Sequence, residues 1–177
     1  YLETGGLKIY TNLDQNAQKI LEESVNNNLT KEDDIQTAAV MMEPTTGKVI
    51  AIIGGRDYTK SQYNRAYSSV RQVGSTMKPL LYYAALENGF TSSTTFTSEA
   101  TTFTFANNKT YSPQNYGDSY GEKPISLATA ISYSDNIYAV KTHMFLGEET
   151  LVNMAKRLGI TAQLDQVPSL ALGTASI

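Results

Sequence analysis

Ser75 and Lys78 stand three residues apart in Val73-Gly74-Ser75-Thr76-Met77-Lys78-Pro79, and Ser75 is the one serine in the chain with a lysine at that distance. On a helix, side chains three apart share a face with Cβ atoms about 5–6 Å apart, close enough for an amine to reach a hydroxyl. A serine hydroxyl is a poor nucleophile at neutral pH, and a lysine that takes its proton activates it where no histidine helps. Such a lysine must be sheltered, because burial penalises the ammonium and releases the free base. A second hydroxyl and an amide come from Ser134-Asp135-Asn136, at an interruption between two helical runs. Ser24-Val25-Asn26 repeats the Ser-x-Asn spelling, but lies toward a helix end, where it caps or is solvated. Either motif alone is commonplace on a surface. Together, and in this order, they make Ser75 a candidate nucleophile with Lys78 as its base, and Ser134 and Asn136 candidate partners.

The surrounding pattern supplies elements to carry them. Arg71 to Gly89 reads as a helix with its reactive pair in the first turn: Gly74 permits a tight approach, Pro79 is tolerated near the start, and Gly89 stands where a helix ends. Before it, Gly5 to Thr11 alternates like a short strand, and Asp14 caps a helix from Gln15 to about Asn26. Its stripe is Ala17, Ile20, Leu21 and Val25, and Asn26-Asn27-Asn28 ends it. Ile35–Met42 and Lys48–Ile53 form a β-hairpin about the turn Glu43-Pro44-Thr45-Thr46-Gly47. Gly54 to Val73 is a loop, and Thr91 to Lys123 a long polar segment in which Thr102 to Phe105 alternates as a short strand would. Pro124 suits the first turn of a helix through Ile125–Ile131; helices follow over Ile137–Leu146 and Glu148–Leu158, closed by Gly147 and Gly159. No repeat or linker composition divides the chain.

Composition narrows the partners. A chain of 177 residues with 41% hydrophobic content holds a core, and the formal charge of −3 with scattered lysines and arginines offers no basic stripe for nucleic acid. There is no cysteine, hence no disulfide or thiolate chemistry. His143, the only histidine, has no second ligand nearby, so neither a metal nor a cofactor is expected and the residue reads as core or helix surface. No apolar run reaches the ~20 residues of a membrane span; the anchor of an exported protein would lie outside these residues.

With these motifs in place, further segments carry a family resemblance. Gly5 to Asp14, the hairpin end Ala51-Ile52-Ile53-Gly54-Gly55, Asn64-Arg65-Ala66, Gly74 to Pro79 and Tyr111-Ser112-Pro113-Gln114-Asn115-Tyr116 resemble the transpeptidase domain of class A, bifunctional penicillin-binding proteins. The resemblance implies an α/β (α+β) fold with helices packed on a mainly antiparallel sheet, of which only the first hairpin is in this chain. It implies residues 1–13 as the connector following an absent glycosyltransferase domain, and residues 14–177 as the amino-terminal portion of the transpeptidase domain. Ser75 would attack the penultimate D-Ala carbonyl of a peptidoglycan stem peptide and be acylated by β-lactams. Lys78 would act as base, Ser134 would relay a proton to the leaving nitrogen, and Asn136 would bond substrate and Lys78. The implied setting is the bacterial cell surface, with a membrane anchor elsewhere in the full-length protein.

One part of the family pattern is missing. The third motif, Lys-Thr/Ser-Gly, has no copy: Lys109-Thr110-Tyr111 and Lys141-Thr142-His143 begin it without the glycine, so Lys109 reads as a loop residue and Lys141 as a surface residue. The remaining strands are expected beyond Ile177 or on a second chain. Tyr116 and Tyr133 are candidates to line the cleft. Two other functions share Ser75 and Lys78: a β-lactamase, for which no Glu-x-x-Leu-Asn follows, and a non-enzymatic β-lactam sensor.

Overall fold

The computed structural model describes residues 5–29, 35–105 and 108–177. They form two compact units, Tyr1–Ser69 and Val70–Ile177, a division that composition does not signal.

In the first unit the hairpin forms as expected. β1 (Ala39–Met42) pairs antiparallel with β2 (Val49–Ile53), with an irregularity at Met41/Met42. The helix α1 (Gln15–Asn28) is capped by Asp14, whose carboxylate accepts from the N–H groups of Asn16 and Ala17, and it runs through the asparagines expected to stop it. Ala17, Leu21 and Val25 are half-buried while Ile20 is exposed. The start of α1 lies along β2. Asp14 N–H donates to Ile50 O at 2.9 Å, and the Gln18 amide both accepts from Ile52 N–H (2.9 Å) and donates to Ile52 O (3.1 Å). A side-chain amide thus satisfies backbone groups that an open strand edge would expose. The strand expected over Gly5–Thr11 is not formed: residues 5–13 are exposed and have no ladder partner among the described residues, and alternation without a partner is no strand. α2 (Arg65–Ser68), capped by Asn64, is a single turn within the expected loop.

The second unit is built on helices. A 3-10 turn (Gly74–Met77) runs into α3 (Lys78–Glu87), which buries Leu81, Ala84 and Ala85 completely. The polar segment supplies three short strands, β3 (Thr95–Ser98), β4 (Phe103–Thr104) and β5 (Thr110–Tyr111), with β4 and β5 paired. β6 (Lys123–Ser126) pairs antiparallel with β3, Pro124 lying opposite Thr97. Here the expectation of a helix starting at Pro124 is wrong. A two-stranded ribbon has edges that tolerate proline's missing N–H, and the helix signal belongs to Ser126, whose Oγ accepts from Thr129 N–H to cap α4 (Leu127–Tyr133).

α5 (Asn136–Leu146) shows no apolar stripe because it is buried on several sides, through Ile137–Val140, Thr142 and His143. α6 (Glu148–Arg157) is amphipathic, buries Leu151, Val152, Met154 and Ala155, and places acids in its first turn and bases in its last, as the helix dipole favours. The core joins Met77, Leu81, Tyr138, Val140, Leu151 and Leu170, the last from a 3-10 turn (Pro168–Leu172).

Candidate active site

Ser75 lies in the 3-10 turn and Lys78 opens α3, so the pair spans a junction of two helical types rather than one α-helical turn. Ser75 is exposed, whereas Lys78 is only 4% exposed. α4 ends in Ser134, whose backbone is left-handed (φ 52°, ψ 43°), a conformation L-residues other than asparagine, aspartate and glycine seldom adopt. That reversal lets Asp135 cap α5 and turns Asn136 back toward α3.

All four candidate residues meet. The Lys78 amine donates to Ser134 O at 2.6 Å, Ser134 Oγ at 3.0 Å and Asn136 Oδ1 at 2.7 Å; Ser134 Oγ stands 3.3 Å from Ser75 Oγ. Lys78 and Ser75 are therefore joined through Ser134 instead of by the direct contact that a three-residue helical spacing suggests. Burial pushes the Lys78 amine down to about 8, partly offset by the negative charge of Asp135. Three donors and three acceptors match the ammonium form. When the amine is neutral, two N–H groups remain for two obligate acceptors, the Ser134 carbonyl and Asn136 Oδ1. Its lone pair then faces the Ser134 hydroxyl, which can reverse its hydrogen.

Behind the motif lies a group the sequence did not single out. Asn115 Oδ1 accepts the Asn136 N–H at 2.7 Å, and its Nδ2 donates to the Asp135 carboxylate at 2.8 Å; Gln114 O accepts from Asn136 Nδ2 at 2.6 Å. Ser98 completes the group. Asp135 is spelled within the motif and Asn115 within a family-like segment, but a buried hydrogen-bond hub has no periodicity to reveal it.

Other candidates fall elsewhere. Ser24 sits in the first unit on α1, its carbonyl accepting from Asn28 Nδ2. Lys109 is exposed in a loop. Lys141 is not a free surface residue: its side chain is 19% exposed, donates to Thr97 O at 2.8 Å and lies 3.5 Å from Glu99, fastening α5 to β3. His143 is fully buried, with Nε2 3.2 Å from Val167 O. Tyr116 is 100% and Tyr133 81% exposed; the apolar slot beside Ser75, Lys78 and Ser134 is lined by Pro79, Tyr82, Tyr83, Leu86 and Ile131 instead. Among the described residues no three His, Asp or Glu side chains cluster to hold a metal, and no helix is long and apolar enough to cross a membrane.

Residues 37–167 match the family model for the penicillin binding protein transpeptidase domain. The chain belongs to the penicillin-binding protein transpeptidase family. It is 51% identical over 174 residues to penicillin-binding protein 2D of Bacillus subtilis (strain 168), covering 98% of this chain and 25% of that protein. It is 35% identical over 146 residues to penicillin-binding protein 1A of Aquifex aeolicus (strain VF5), covering 81% and 20%. The crystal structure of penicillin-binding protein 1A from Haemophilus influenzae superposes with a TM-score of 0.74 at 33% identity, over 80% of this chain and 21% of that one. The D,D-transpeptidase domain of a peptidoglycan glycosyltransferase from Eggerthella lenta shares the fold, with a TM-score of 0.65 at 22% identity, over 88% and 39%. The family fold expected from the sequence is thus the one observed, helices with small antiparallel sheets. The chain spans about a quarter of the length of the curated relatives it matches.

Proposed function

We propose that this chain carries the nucleophilic half of a D,D-transpeptidase site that cross-links peptidoglycan stem peptides through a Ser75 acyl-enzyme. The observation that carries this is the continuous set of contacts from the buried Lys78 amine through Ser134 Oγ to the exposed Ser75 Oγ. In acylation the Ser75 proton passes to Ser134 Oγ while the Ser134 proton passes to neutral Lys78, and Ser75 Oγ bonds to the penultimate D-Ala carbonyl carbon. Collapse of the tetrahedral adduct returns a proton from Lys78 through Ser134 to the leaving nitrogen, releasing D-Ala. A stem-peptide amine then attacks the ester by the same route in reverse. Asn136 holds Lys78 by Oδ1 and has one amide hydrogen beyond that given to Gln114 O, available for substrate. The Ser75 N–H supplies one oxyanion donor, and removal of one such donor typically costs about 10²–10³ in rate.

The Lys-Thr/Ser-Gly strand and the second oxyanion donor belong to the remainder of the domain, outside residues 14–177 or on a second chain, and residues 1–13 serve as a connector from a glycosyltransferase domain. The whole protein works at the bacterial surface, anchored by a segment outside this sequence. β-Lactams acylate Ser75 in the substrate's place.

The test is incubation of the full natural chain with penicillin, followed by peptide mass analysis. A lasting adduct on Ser75, absent from Ser75→Ala, is expected, together with transfer of a stem peptide to an amine acceptor. Adduct formation at an unchanged rate in Ser75→Ala sinks the assignment of the nucleophile. Rapid penicillin turnover would make the protein a β-lactamase, and a stable adduct without peptide transfer would make it a sensor.

A further inference from the structure

The Ser134–Asn136 turn is gripped from behind by a buried polar cluster that the acyl-transfer steps do not use. Asp135 is 6% exposed, Ser98 0% and Asn115 9%. The carboxylate accepts from Tyr138 N–H at 2.7 Å on one oxygen, and from Ser98 Oγ at 2.5 Å and Asn115 Nδ2 at 2.8 Å on the other. Asn115 also donates to Ser119 O at 2.9 Å and receives the Asn136 N–H, so a single side chain ties the loop after β5, the carboxylate and the start of α5. Among the described residues no cation lies within ion-pair distance of Asp135. Helix capping alone does not call for a buried charge, since serine or asparagine caps about as well, and a buried carboxylate with no cation in contact is costly.

We propose that Asp135, held by Ser98 and Asn115, is a positioning residue for Lys78, fixing the turn that presents Ser134 O, Ser134 Oγ and Asn136 Oδ1 to its amine. Burial weakens the lysine as a base, and Asp135 is the charge that opposes the loss. A general base is most effective when it titrates near the working pH. No other titrating group competes. Tyr82 and Tyr83 on α3 line the slot with Lys78, and Tyr138 on α5 stands edge-on to Tyr82; burial pushes the Tyr82 and Tyr138 phenols upward, so both are neutral throughout the working range. Farther along α5 stand Lys141, fastened to β3 and Glu99, and the buried His143. α6 brings Arg157 to Glu87 at the other end of α3, and the 3-10 turns 74–77 and 168–172 carry no charge.

The inference rests on the acyl-transfer reading for its purpose, and its test is chosen to stand without it. In the full natural chain, Asp135→Asn and Asp135→Ser each remove the charge and keep a capping oxygen. Lys78 is titrated directly by NMR of side-chain-labelled lysine, and the pH profile of penicillin acylation is recorded in parallel. The expected result is a Lys78 midpoint lower by about half a unit or more in both variants, with the acid limb of acylation moved down by the same amount and a lower plateau. An unmoved midpoint, or a rate reduced equally at every pH, overturns the proposal. So does loss of folding in both variants, which would make the carboxylate a structural element only. If Ser75 proves not to be the nucleophile, the lysine midpoint still decides.

Discussion

Lys78 is where burial and chemistry meet. A lysine in water holds its proton firmly; one buried against two carbonyl-type acceptors and a hydroxyl, with its pKa lowered to about 8, is about one-tenth free base at pH 7. In the proposed mechanism the active form is the neutral amine, and the folded-state value lies near 8. Acylation should therefore climb about tenfold per pH unit below 8 and level off above it, which stopped-flow acylation across pH 5.5–9.5 would reveal. Lys78→Met should remove this limb and lower the rate by about 10²–10⁴. Lys78→Arg should be no better, since guanidinium keeps its proton throughout this range. A limb surviving in Lys78→Met would assign it to another group. At this scale the sequence is informative: motif spelling names Ser75, Lys78, Ser134 and Asn136, and the four side chains meet. What it could not convey was the order of contact. The three-residue spacing suggested that Ser75 touches Lys78, whereas the 3-10 turn separates them and the left-handed Ser134 fills the gap.

The elements set the position of Ser75 through the backbone. Gly74 N–H donates to Gly173 O at 3.0 Å, Arg71 and Ile177 exchange both backbone hydrogen bonds, and Gln72 pairs with Ser176, so residues 71–74 run against 173–177 as a short antiparallel bridge. Both glycines have positive φ, +58° at Gly74 and +68° at Gly173, but their surroundings differ. A Cβ at Gly173 would overlap the Gly74 backbone, whereas one at Gly74 would meet nothing within 4 Å. Gly173→Ala should accordingly cost more than the roughly 1–2 kcal/mol of left-handed strain expected for Gly74→Ala, and should slow Ser75 acylation as well. Equal unfolding midpoints for the two variants in urea would show that the close approach does not matter. Neither glycine's role could be read from sequence, since the contact joins residues a hundred positions apart. The helix misplaced at Pro124 fails for a related reason. Proline suits a first helical turn and an edge strand alike, and the decision came from pairing with β3, a tertiary contact.

At the scale of the molecule, the second unit carries all four candidate residues and, apart from them, a fully buried histidine. His143 sits wholly inside the core, its Nδ1 buried without a partner and its Nε2 against Val167 O. Val167 leads into the Pro168–Leu172 turn, and so into the strand-like bridge that holds Gly74. Burial, opposed only in part by the Val167 hydrogen bond, depresses the imidazole below its ordinary value of 6.5. The unfolded chain therefore binds a proton near pH 6.5 that the folded chain still refuses. Stability is full above that pH and declines as pH falls through the interval down to the folded value, by at most about 1.4 kcal/mol per unit. The site-bearing unit should lose stability on mild acidification, before most carboxylates titrate. His143→Gln can still donate to Val167 O and does not titrate, so its denaturation midpoint should fall less than the parent's between pH 7.5 and 5.5. Because the other ionisable groups are common to both proteins, their contribution cancels in the difference. Parallel midpoints across that interval would mean that His143 takes up its proton equally in the folded and unfolded chain, and the core histidine would then be a packing residue alone.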